Sequence, residues 1–73
     1  MNKEFILKHK LQILGTGNEI FAKLIKGAEE SGITVEALDT IKDELDFMIS
    51  IVDSMKETAV EIEEEYQENR IFK

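Results

Sequence analysis

The residues of this chain that could do chemistry are mostly carboxylates. It carries sixteen Asp and Glu among 73 residues. The densest run is Glu61, Glu63, Glu64, Glu65 and Glu68. Such a run can hold a hard cation through oxygen ligands. It can also imitate the phosphate spacing of a nucleic acid, or simply stand in water as a solvated helix face. His9 is the only histidine and there is no cysteine, so no His/Cys metal set can be assembled. The Ser and Thr residues have no base at a recognisable spacing, and no Gly-rich phosphate loop follows a strand. The expectation is therefore no catalytic residue, no cofactor and no metal.

Two longer stretches resemble known motifs. Lys42-Asp43-Glu44-Leu45-Asp46-Phe47-Met48-Ile49-Ser50-Ile51-Val52 resembles the EELGD-plus-apolar run of the MazG-like, all-α nucleotide pyrophosphatases. That likeness implies carboxylates from two helices sharing Mg²⁺. The family's earlier EExxE half is not matched, because Glu29-Glu30 is followed by Ser31-Gly32-Ile33. The second stretch has Ala28, Gly32, Ile33, Leu38 and Ile41 at the spacing of a helix-turn-helix. Its recognition helix would present Glu36, Asp39, Lys42 and Asp43.

Charge weighs against DNA reading. The net charge is −7, with +3 on residues 1–27 and −10 on residues 28–73. Acids facing phosphates repel, whereas nucleic-acid binding needs cations that displace counterions. No apolar run approaches the ~20 residues of a membrane span, and Lys3, Lys8 and Lys10 interrupt the N-terminal apolar residues without a signal-peptide pattern. Together these predict a cytoplasmic chain that binds neither membrane nor DNA directly.

The periodicity predicts an all-α fold. Residues 3–14 read as a first short helix capped by Asn2, with a strand as the competing reading because Phe5, Leu7, His9, Leu11 and Ile13 alternate. Gly15-Thr16-Gly17-Asn18 reads as a break, with Thr16 and Glu19 as a capping box. Residues 19–31 read as a second short helix. Gly32 suits a helix C-terminus, and Thr34 caps the next helix. Residues 35–69 then form one long helix.

That long helix carries a 3-4 apolar repeat: Leu38, Ile41, Leu45, Met48, Val52, Met55, Ala59 and Ile62. Such spacing is a coiled-coil seam. Two short helices cannot cover a stripe ~50 Å long, so the seam predicts a homodimer, antiparallel about Val52–Asp53. The function that fits is a small, acidic, non-enzymatic interaction protein, a regulator or inhibitor of the type carried by phages and mobile elements. Its partner-binding face would be Glu57, Glu61, Glu64, Glu65 and Glu68, set against a protein partner such as a nucleic-acid-binding enzyme with a basic cleft. A helix-turn-helix regulator and a MazG-like pyrophosphatase fragment are the alternatives.

Overall fold

The computed structural model describes residues 2–71, with side chains through residue 67. They form two helices, α1 (Lys3–Ser31) and α2 (Val35–Ile71), joined by a three-residue turn. Each end has a local cause. The Asn2 side chain accepts from the backbone N–H of Glu4 at 2.9 Å and of Phe5 at 3.3 Å. This satisfies amides that the first helical turn leaves without partners. At the other end the Gly32 N–H donates to the Ala28 carbonyl at 3.0 Å. Gly32 has φ 109°, ψ 145°, a conformation open to glycine and strained for other residues. The Thr34 hydroxyl then accepts from the Ala37 N–H at 3.0 Å and opens α2.

Replacing Gly32 with Ala should therefore destabilise the hairpin by about 1 kcal/mol or more, read as a lower midpoint in urea. An unchanged midpoint would show that the turn tolerates a side chain.

The expectation of two short helices is corrected. Residues 3–14 and 19–31 belong to one continuous 29-residue helix, and the strand reading of 3–14 falls with it. The Gly15–Asn18 segment does not break. Thr16 does not cap a new helix; its hydroxyl donates back to the Gln12 carbonyl at 3.2 Å, as a mid-helix threonine does. Two helical glycines cost roughly 1 kcal/mol each against alanine, and pairing with α2 on both sides of them offsets that loss. Gly17 is the one buried residue of α1. A Cβ there would stand 3.1 Å from Glu44 Oε1 and 3.4 Å from Met48 Cγ. The glycine marks close approach of the two helices, not a chain break. At Gly27 a Cβ would meet nothing within 4 Å.

The helices run antiparallel. Lys3 reaches Glu61 and Glu65, Lys10 donates to Ser54, and Gly17 lies against Glu44 and Met48. The half-buried residues of α1 on either side of Gly17 include Lys3, Leu7, Lys10, Leu14, Phe21, Leu24 and Ala28. On α2 they include Ala37, Ile41, Glu44, Met48, Ile51, Met55, Thr58 and Ile62. Both sets alternate four and three residues apart, which is the signature of one continuous helix pair. A 29-residue α1, ~44 Å long at 1.5 Å per residue, covers most of the α2 stripe. The covering partner is thus the chain's own first helix.

Candidate interaction surface

The intrachain seam is rotated relative to the stripe expected from the sequence. Of the eight residues expected at a dimer interface, Ile41, Met48, Met55 and Ile62 are half-buried at the positions that face α1. Leu38, Leu45 and Val52 stand out at 52, 39 and 46 % exposure. Ala59, half-buried, continues their line. The inner partners of the first group are instead Ala37, Glu44, Ile51 and Thr58. The 3-4 repeat of α2 therefore points between two directions, α1 on one side and open surface on the other.

α1 behaves likewise. Leu11, Asn18 and Ile25 are seven residues apart and lie beside the seam. Leu11 and Ile25 are exposed. One groove is lined by Leu7, Leu11, Leu14, Val52, Met55, Lys56 and Ala59. That places the Leu11 line of α1 and the Val52 line of α2 on the same side of the hairpin. The result is one broad apolar face built from both helices. The sequence reading missed the α1 half of it. The signal was present: Leu7, Leu11, Leu14, Asn18, Phe21, Ile25 and Ala28 keep a 4-3 spacing straight through the glycines.

The opposite side is less uniform. Ile6, Ile13 and Ile20 form a line on α1, and Phe5, Ile6, His9, Lys10 and Ile13 enclose a shallow groove. His9 is exposed. On α2, however, the same side carries Thr40, Phe47, Ser54 and Glu61. The Lys10–Ser54 hydrogen bond and the Lys3–Glu61 pair, 3.6 Å apart, bridge the helices there. These two polar links cross the face near the start of α1, while Ile13, Ile20 and Phe47 remain exposed on it.

The acids divide into two groups. Glu61 and Glu65 hold Lys3. The hydrogen bond to the Glu65 carboxylate raises the Lys3 ammonium above its ordinary value of 10.5; burial opposes the shift, and the charges of Glu65 and Glu61 add to it. A raised folded-state value contributes stability below the ordinary one and loses it as pH climbs through the shifted one. The contribution is thus present at neutral pH and disappears in strong alkali. The ammonium sits at the rim of the hairpin in reach of solvent, which screens it, so the effect is small. Glu57 and Glu64 are exposed on α2 and form no ion pair within the hairpin among the described residues. The Glu68 side chain lies outside the described residues.

The two motif resemblances can be placed geometrically. Glu44 turns into the seam beside Gly17, and its Oε1 is enclosed without a hydrogen-bond partner. Asp43 and Asp46 are exposed. Among the described residues no three His, Cys, Asp or Glu side chains converge on a common point. Ala28, Gly32, Ile33, Leu38 and Ile41 sit around the hairpin turn, where α2 runs back along α1. A helix-turn-helix instead sets its second helix across the first at ≈ 90–120°. No described helix is long and apolar enough to cross a membrane. Comparison with protein-family models, with curated proteins and with solved structures found no match to this chain.

Proposed function

We propose that the chain is a non-enzymatic interaction protein that works as a self-associated helical hairpin. The observation that carries this is unburied apolar surface. Among the described residues no hydrophobic side chain is fully buried, and the accessible surface is 6124 Å². A compact monomer of 8.4 kDa would expose about 4,600 Å². The excess, about 1,500 Å², falls within what each subunit of an obligate homodimer covers. A second copy is the occupant, docked on the face that includes Leu38, Leu45, Val52 and Ala59.

Association through that face leaves the outer acids of α2 free. Glu57 and Glu64 then present negative charge to a partner protein, a nucleic-acid-binding enzyme with a basic cleft, and the chain acts as its regulator or inhibitor. The −10 of residues 28–73 supports this reading. Glu61 and Glu65 are poor choices for a test because Lys3 uses them. Changing Glu57 and Glu64 together to Lys should abolish capture of the partner from host lysate. Added duplex DNA should displace the partner from the unaltered protein. Capture that survives both the substitution and the DNA would overturn the acidic-face reading.

A further inference from the structure

We propose that two copies pair with their turns at opposite ends of a four-helix bundle, and that Asn18 sets this orientation. The inference rests on the self-association proposed above and specifies its geometry.

An isologous pair using this one face has two arrangements. With turns at opposite ends, α1 lies against α1 and α2 against α2. With turns at the same end, each α1 lies against the other chain's α2. All neighbouring helices are antiparallel in both cases, so helix direction does not choose between them.

The sequence of α1 does choose. Its outward line reads Leu11, Asn18, Ile25, and it is close to symmetric about Asn18. When α1 is laid antiparallel on its own copy, Leu11 meets Ile25 of the partner subunit. Gly15 lies within one residue of the level of Ala22 of the partner subunit, which leaves room for close approach. Lys8 lies within one residue of the level of Glu29 of the partner subunit, an opposite-charge pair. Asn18 falls on the twofold axis, opposite Asn18 of the partner subunit.

The last contact matters most. Asn18 is the one polar residue on this line between Leu11 and Ile25. A side-chain amide carries both donors and an acceptor, so two of them bond each other reciprocally. In the same-end arrangement Asn18 would instead lie at the level of the other chain's Leu45 and Met48, given that Gly17 sits beside Met48 in the hairpin. An amide buried against those side chains would lose its water without a replacement bond. A single polar residue in an apolar seam is an established way to fix orientation.

The centre of the pair also moves. On α2 the axis passes near Leu45–Asp46, beside the level of Asn18 given the Gly17–Glu44/Met48 and Lys10–Ser54 contacts, and not at Val52–Asp53. The broad apolar stretch around Leu45 and Met48 then packs on itself.

The chain has no cysteine, so one label site can be introduced cleanly. Ile33→Cys sits in the turn at an exposed position (72 %). Spin labels there should be ~45 Å apart with turns at opposite ends, fifteen residues of helix on either side of Asn18. They should be within ~20 Å with turns at the same end. A single long distance supports the proposal. A single short distance overturns it and leaves self-association standing. A monomer in sedimentation removes both. Adding Asn18→Leu should produce a mixture of long and short distances; one unchanged long distance would show that Asn18 does not set the orientation.

Discussion

Replacing Leu45 and Val52 together with Asp should convert the protein to a monomer with reduced helix content. Both residues stand out from the hairpin at 39 and 46 % exposure, so the substitutions leave the α1–α2 seam itself intact. In a paired bundle they would bury four carboxylates without partners. Each carries a desolvation penalty of about several kcal/mol, well beyond what a marginally stable small domain withstands. Sedimentation equilibrium gives the mass directly. The matched control is Phe47→Asp, comparably exposed at 50 % but on the opposite side of the hairpin, the one crossed by the Lys10–Ser54 and Lys3–Glu61 links. It should leave the pair intact. A double mutant that still pairs, or a control that does not, would show that the wrong face has been chosen.

The residues behind this prediction show how far the sequence could be read. The all-α class, the Asn2 and Thr34 caps and the turn at Gly32 were legible because each depends on local chemistry. The α2 repeat was legible as a stripe. Its partner was not, because a stripe of apolar residues says that something covers it and not what. Ile41 and Met48 face the chain's own first helix; Leu38, Leu45 and Val52, one turn of the repeat away, do not. The two-short-helix reading fails at a single point, where Gly15 and Gly17 have the usual look of helix breakers. Tertiary pairing overrides local propensity there. The 4-3 spacing running from Leu7 to Ala28 across the glycines is the competing signal, and it is the stronger one.

Gly17→Leu should separate the helices. A Cβ alone would come within 3.1 Å of Glu44 Oε1 and 3.4 Å of Met48 Cγ, and the rest of a leucine would occupy the space that α2 now fills. Overpacking of this kind costs about 1–3 kcal/mol in a large core. The effect here should reach the upper end, since the two helices have little else to hold them. The urea midpoint should fall sharply and α1 should lose helicity by circular dichroism. Gly17→Ala should be far milder. The nearest atom is the end of a flexible Glu44 side chain, which can swing aside, and alanine is the better helix former by about 1 kcal/mol. Gly15→Ala, with nothing within 4 Å of its Cβ, should stabilise. If Gly17→Leu melts like the unaltered protein, the helices are not in contact at that point.

The acidic surface was less legible than the fold. The run from Glu57 to Glu68 has the look of one face. The hairpin assigns Glu61 and Glu65 to Lys3 and leaves Glu57 and Glu64 outside. That division depends on where the first helix ends up, and no property of residues 57–68 alone encodes it.

A hairpin in which no hydrophobic side chain is fully buried among the described residues has a consequence for gene dosage. Anything that binds only the folded form stabilises it by mass action, and under the proposed self-association the stabilising ligand would be the chain itself. When few copies were made, the unpaired helices would be open to proteases and cleared. When many were made, each copy would shelter the next. Abundance would then behave as a threshold, with a low synthesis rate giving almost no folded protein and a modest rise giving a great deal.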